Sequence, residues 1–241
     1  MAAAIPRAAA YFAGRGTITL QLGGIIFDMD GVLVDSEPAH KLAKRRAFER
    51  FGVFLPDDVY EKYKGRPDET MMNEVVRSLG ENKLDAEELI RIKHEEFEAI
   101  ERMVVPVRGA REFVLWARTK YRIALATSAT PRNRGAALAL LGLEDSFDFI
   151  VDAAGFSKPK PDPEIFERAS LGLGTKAEEC LVIEDSLNGI LAAKAAGCIA
   201  GAIPTSFTRD ELARSGSDFV VDDFEELRAL IEIRYGEGKS C

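Results

Sequence analysis

Histidine, tryptophan and cysteine are all scarce: two, one and three residues in a chain of 241. The cysteines, Cys180, Cys198 and Cys241, are odd in number and far apart, which fits a reducing compartment better than a disulfide framework. No apolar run approaches the roughly 20 residues that cross a bilayer, so no membrane partner is expected. Bases are outnumbered 32 to 40, for a net charge of −8. That balance argues against nucleic acid as a partner, because a phosphate-backbone binder needs clustered Lys and Arg to replace counterions. Acids are absent from Met1 to Phe27, a stretch that carries only Arg7 and Arg15. Such a start leaves an organelle transit peptide open beside the plainer reading of residues 1–23 as an N-terminal extension. A secretory signal fits less well, since Pro6, Arg7, Gly14 and Arg15 interrupt any apolar centre. What is present, 46% hydrophobic and 30% charged residues, predicts a packed cytoplasmic protein, monomeric for want of any segment resembling a dimer surface.

Short apolar runs alternate with amphipathic stretches. Strands are predicted near 24–28, 122–127, 147–151, 180–185, 198–203 and 218–221, each branched and apolar. Helical periodicity fills about 108–119, 132–141, 163–171, 186–196, 208–215 and 223–234, with Gly142 and Gly197 at expected C-caps. Alternation of this kind predicts an α/β fold, a Rossmann-like parallel sheet covered on both faces. One block breaks the rhythm: residues 37–105 show helices near 39–51, 69–79 and 86–103 and no strand. The economical organisation is a core of 24–36 and 106–241 interrupted by a small helical insert. Trp116, at helical spacing from Phe113, reads as core.

Chemistry gathers at predicted strand ends, the edge where open α/β sheets bind ligands. Asp28 and Asp30 lie two apart after the first strand, where two carboxylates repel unless a cation such as Mg²⁺ separates them. An ordinary acidic turn explains an isolated Asp-Met-Asp-Gly equally well. Thr127 and Ser128 set two hydroxyls between a strand and a helix, where they suit a phosphate oxygen or a plain N-cap. Ser157-Lys158-Pro159-Lys160-Pro161-Asp162-Pro163 is a proline-stiffened loop able to aim a lysine. Glu184 and Asp185 end a further strand. Four weak signals share one location and one order.

That order resembles the haloacid dehalogenase-like phosphohydrolases, particularly the β-phosphoglucomutase and phosphoglycolate-phosphatase branch. Asp28-Met29-Asp30-Gly31-Val32-Leu33, Thr127-Ser128, Lys158-Pro159-Lys160-Pro161-Asp162 and Glu184-Asp185-Ser186-Leu187-Asn188-Gly189 stand where the family carries its four motifs. The likeness runs from about Gly24 to the C-terminus, although residues 152–157 look short for this branch. It implies Asp28 as the nucleophile forming an aspartyl-phosphate and Asp30 as general acid and then base. Thr127 and Ser128 would hold the phosphoryl group. Lys158, preferred over Lys160 because the motif begins there, would supply the cation. Mg²⁺ would rest on Asp28, the Asp30 carbonyl and Asp185, with Glu184 as a further or outer ligand. The helical insert takes the place of a cap, and His40, Arg66 and Lys93 become candidate substrate contacts. The implied activity is Mg²⁺-dependent hydrolysis of a small phosphorylated metabolite, a sugar or polyol phosphate; a phosphosugar mutase, in which a phosphosugar replaces water as the phosphoryl acceptor, is the alternative. Thr130 stands where mutases often carry a cation, which counts against that alternative.

Overall fold

A computed structural model describes residues 22–80 and 84–235. The transit-peptide reading therefore lies outside the described residues, apart from Leu22 and Gly23. Gly23 already belongs to the fold, its N–H donating to the Glu179 carbonyl at 2.8 Å. The chain divides into two compact units, Asp35–Val105 and the remainder, so the first junction falls two residues earlier than the sequence suggests.

In chain order, β1 (Gly24–Phe27) and the two-residue β2 (Val34–Asp35) precede the helical unit. That unit holds α1 (Glu37–Glu49), α2 (Asp57–Lys62), α3 (Asp68–Leu79) and α4 (Ala86–Ala99) and ends at β3 (Val105–Pro106). The chain continues through α5 (Ala110–Ala117), β4 (Arg122–Ala126), α6 (Pro131–Leu141), β5 (Phe149–Val151) and α7 (Glu164–Leu173). Then come β6 (Cys180–Glu184), α8 (Leu187–Ala195), β7 (Ile199–Ala202), α9 (Arg209–Arg214), β8 (Phe219–Val220) and α10 (Phe224–Tyr235).

Six strands form one parallel sheet in the order β5-β4-β1-β6-β7-β8. Every residue of β1 and β6 is buried, as strands covered on both faces require, which is why they read as unbroken apolar runs. The chain leaves β1 first toward β4 and β5 and then returns to the other side at β6. A reversal of that kind opens a crevice at the carboxyl ends of the central strands. Register aligns Phe27 with both Leu125 and Ile183, so Asp28 and Glu184 emerge side by side. On one face Ile26, Ala124, Val182, Ala200, Phe166 and Leu173 join a continuous core.

The helical unit has its own core, in which Ala47, Phe48, Tyr60, Tyr63, Met71, Met72, Leu89 and Ile92 are buried together. The short α2 escaped sequence reading because six residues hold too little periodicity to register. The helix predicted to reach Met103 stops at Ala99, where Ile100 leaves helical geometry at φ −121° and a 3-10 turn follows. Trp116 is half-buried rather than core, packing on Phe113 at 5.2 Å beneath the Arg228 guanidinium at 5.0 Å. Among the described residues no helix is long and apolar enough to cross a membrane.

Candidate active site

Asp28 follows β1 directly, and its N–H donates to the Ile183 carbonyl at 3.0 Å, fixing it to the neighbouring strand. Across that boundary stand Glu184 and Asp185. One oxygen from each of the three carboxylates falls within 4.8 Å of the others, and all three residues are buried. Two backbone positions without side chains permit this crowding. A Cβ on Gly31 would lie 1.7 Å from Asp185 Oδ2, and φ there is +77°. A Cβ on Gly189, in the first turn of α8, would lie 1.8 Å from Glu184 Oε1. Both residues belong to motif segments, but only the packing explains them.

The cation in this cluster is Lys160. Its Nζ lies 2.7 Å from Asp28 Oδ1 and 2.7 Å from Glu184 Oε1, with the Phe166 ring centroid at 4.9 Å. The expectation for Lys158 is corrected accordingly: its side chain is 70% exposed and its ion-pair partner among the described residues is Asp162, at 3.7 Å. The cause is Glu164 at the start of α7. Its Oε2 accepts from the Ser157 N–H, the Ser157 hydroxyl and the Lys158 N–H at 2.9–3.0 Å, which holds the first half of the loop outward. Arg168 braces the same carboxylate at 2.6 Å. Two residues further on, Lys160 reaches the sheet edge. The stretch that looked short before Lys158 also regains two residues when Lys160 is the lysine.

Glu184 is saturated by hydrogen bonds. Oε1 accepts from Lys160, and Oε2 accepts at 2.9 Å from the Asp185 N–H, the Ser186 N–H and the Ser186 hydroxyl. Ser186 in turn caps α8, accepting from the Gly189 N–H at 3.0 Å. The carboxylates left to face an incoming cation are those of Asp28 and Asp185. Asp30 is half-buried, paired as a bridge with Val34, and close enough for its charge to act on Asp28. Thr127 is fully buried one residue past β4, its hydroxyl oxygen accepting from the Ala129 N–H at 3.0 Å, whereas Ser128 is exposed.

Burial pushes the Asp28 carboxyl up to about 7, partly offset by Lys160 and reinforced by Glu184 and Asp30. Burial likewise raises Asp185 well above the usual carboxylate range, helped by Glu184 and Asp28. Burial alone would lower Lys160, but the Asp28 and Glu184 carboxylates outweigh it and hold the ammonium above its ordinary value. Three carboxylates against one ammonium leave a charge of about −2 if all ionise. Buried oxygen donors with that deficit fit a hard divalent cation.

Sequence reasoning missed Thr205 and Ser206, on the loop after β7. The Thr205 hydroxyl contacts the Gly31 carbonyl and lies 3.3 Å from Asp185 Oδ2, and the Ser206 side chain bonds the same carboxylate. A signal was available: Ala202-Ile203-Pro204-Thr205-Ser206 repeats the pattern of two hydroxyls after a strand already seen at Thr127-Ser128.

The remaining candidates lie in the helical unit. His40 stacks on Phe97 with ring centroids 4.2 Å apart, and Lys93 Nζ lies 5.5 Å from the same ring. Lys93 is buried and bound to Asp68 at 2.7 Å, with Lys44 at 3.3 Å from the other oxygen. Burial would raise Asp68, but Lys93, Lys44 and His40 together hold it well below the usual carboxylate range. Arg66 is exposed beside the Tyr63 ring, apart from this group.

A profile of haloacid dehalogenase-like hydrolases matches residues 25–203. The phosphorylated carbohydrates phosphatase of Thermotoga maritima is 35% identical over 215 residues, 87% of this chain and 98% of its own. The β-phosphoglucomutase of Bacillus subtilis is 30% identical over 221 residues, covering 87% and 97% of the two chains. The crystal structure of CbbY from Rhodobacter sphaeroides in complex with phosphate superposes with a TM-score of 0.72 at 28% identity, over 86% of this chain and 96% of that one.

Proposed function

Since the chain belongs to the haloacid dehalogenase-like hydrolases and is an enzyme of phosphomonoester hydrolysis, we propose that it is a Mg²⁺-dependent phosphatase of small sugar or polyol phosphates. The observation that carries this reading is the buried cluster of Asp28, Lys160, Glu184 and Asp185 at the carboxyl ends of β1 and β6.

Asp28 attacks phosphorus in line, and the bond to the leaving oxygen breaks as the aspartyl-phosphate forms. Asp30 gives its proton to that leaving oxygen. It then takes a proton from the water that attacks the aspartyl-phosphate, releasing phosphate and restoring Asp28. Lys160 takes the role first given to Lys158. Held by Glu184 against Asp28, it offsets negative charge gathering on the phosphoryl oxygens without rearranging. Thr127, its oxygen fixed by the Ala129 N–H, keeps its own proton for a phosphoryl oxygen, with the Ser128 N–H beside it. Asp28, Asp185 and the Asp30 carbonyl would hold Mg²⁺, with Glu184 in an outer role. The ion, when bound, supplies neutralisation of the phosphoryl group and of the paired carboxylates.

The helical unit serves as a cap that selects substrate, and His40, Arg66 and Lys93 are its proposed contacts. The likeness to a β-phosphoglucomutase motivates a second reading, in which a phosphosugar replaces water as acceptor. Thr130 argues for water: it is uncharged and occupied as the N-cap of α6, accepting from the Asn133 N–H at 3.3 Å. Phosphate release over a panel of phosphosugars, with and without Mg²⁺, tests the proposal. Turnover that needs Mg²⁺ and disappears in Asp28→Asn is expected. Undiminished turnover by that variant would overturn the nucleophile assignment. Isomerisation of a hexose 1-phosphate faster than phosphate release would instead establish the mutase.

A further inference from the structure

We infer that Thr205 and Ser206 are positioning residues for Mg²⁺, locking Asp185 and the Asp28–Gly31 loop into one rigid ligand set. The inference rests on the metal-dependent reading above and extends it to a loop outside all four motif segments.

Two separate loops supply the oxygen donors, one after β1 and one after β6, and nothing covalent holds them in register at their tips. The loop after β7 does so. Register sets Ala202 beside Glu184, and the Ile203 N–H donates to the Glu184 carbonyl at 2.9 Å, which brings residues 203–206 over the site. Thr205 adds a turn of its own, its N–H donating to the Ile203 carbonyl at 3.0 Å. Its hydroxyl then meets both loops at once, donating to the Gly31 carbonyl while resting 3.3 Å from Asp185 Oδ2. Gly31 supplies the opposite wall, since its Cα sits where any Cβ would collide with that carboxylate. Ser206 contributes a second hydroxyl to Asp185.

Asp185 is thus gripped from two sides, and its remaining freedom is the direction of its other oxygen. A carboxylate buried among two others has a strong tendency to rotate away from them. The Ser206 hydroxyl opposes that rotation, and Thr205, donating to the Gly31 carbonyl, holds the Asp28–Gly31 loop against the same carboxylate. Groups that orient metal ligands in this way typically govern metal affinity by about 10- to 100-fold.

The test is calorimetric titration of the whole protein with MgCl₂, without substrate, alongside kcat at saturating Mg²⁺. Thr205→Val keeps the shape and removes the hydroxyl, whereas Thr205→Ser keeps the hydroxyl. Weakening of the Mg²⁺ Kd by about 10- to 100-fold is expected in Thr205→Val. Thr205→Ser should stay within about threefold of wild type. The expected kcat at saturating Mg²⁺ changes far less than the Kd, a split that a general loss of structure would not give. Ser206→Ala provides an independent variant should Thr205→Val fail to fold. A Kd within about twofold of wild type in both Thr205→Val and Ser206→Ala overturns the inference. Wild-type protein that takes up no Mg²⁺ overturns the metal-dependent reading itself, and the role of Thr205 and Ser206 falls with it.

Discussion

A lysine that neutralises a nucleophilic carboxylate must give up its water, and of the two lysines in the proline loop only Lys160 has done so. Its side chain is 10% exposed and shared between two carboxylates, while Lys158 is 70% exposed. The sequence holds two overlapping Lys-Pro-x-Pro frames, Lys158 to Pro161 and Lys160 to Pro163, and local chemistry is the same in both. What separates them is tertiary: Glu164 gathers the N–H groups of Ser157 and Lys158, so only the second frame can reach Asp28. Asp28, Asp30, Thr127, Glu184 and Asp185 were legible because strand ends announce themselves, whereas the choice of lysine depends on a contact across 132 positions. The expected outcome is specific. Lys160→Met should lower kcat/KM by about 10²- to 10³-fold, the usual loss when one fixed electrostatic partner of the transition state is removed. Lys158→Met should leave it within about twofold, as expected where no partner of the transition state is lost. Steady-state kinetics with the best substrate of the panel checks both, and equal losses would show that the loop, not the Lys160 ammonium, matters.

Elements were easier to read than their ends. The central strands follow apolar runs because burial on both faces leaves little room for polar residues: β1 and β6 are buried throughout, whereas β5 at the sheet edge is partly exposed. Helices were displaced by a residue or two where caps, rather than periodicity, set the limit. Asp162 illustrates this: it stands one position before Pro163, the N-cap of α7, with its carboxylate accepting from the Glu164 N–H at 3.1 Å. α8 shows what periodicity cannot see. Gly189 in its first turn looks like a helix weakness, and by propensity alone Gly189→Ala should stabilise by roughly 1 kcal/mol. The packing predicts the opposite sign, because the added methyl would occupy the place of the Glu184 carboxylate. Overpacking of a buried site costs about 1–3 kcal/mol. For a chain of this size that lowers Tm by roughly 2–4 °C per kcal/mol. Thermal melting read by circular dichroism distinguishes the two, and a rise in Tm would contradict the close approach of Glu184 to α8.

At the scale of the whole molecule, the acid excess of the sequence said little about the ligand, but its local concentration says much about pH. Without a divalent cation, the Asp28 carboxyl is pushed up to about 7, chiefly by burial. A carboxyl raised in this way favours the folded state fully below its unfolded pKa near 4, and that contribution is lost as pH rises through about 7. Asp185, raised by the same causes, adds in the same sense. Asp68 and Glu164 are shifted the other way, so their contributions are present at neutral pH and fall away only in acid. His94, lowered mainly by burial, gains with rising pH and opposes Asp28 within the same window. On the metal-dependent reading proposed above, Mg²⁺ would reverse the penalty on Asp28, because it would bind the ionised carboxylates and expel the proton. The stabilisation produced by a fixed Mg²⁺ concentration should therefore grow between pH 5.5 and 8. Below pH 7 the apparent Kd should tighten by up to about tenfold per pH unit for each proton released. Differential scanning fluorimetry with and without MgCl₂ across that range gives the measurement. Asp28→Asn is the control, since it leaves His94 in place while removing the proton in question. A Mg²⁺-induced shift that is flat with pH in wild type, or equally steep in Asp28→Asn, would mean that Asp28 is not the carboxyl whose proton the metal displaces.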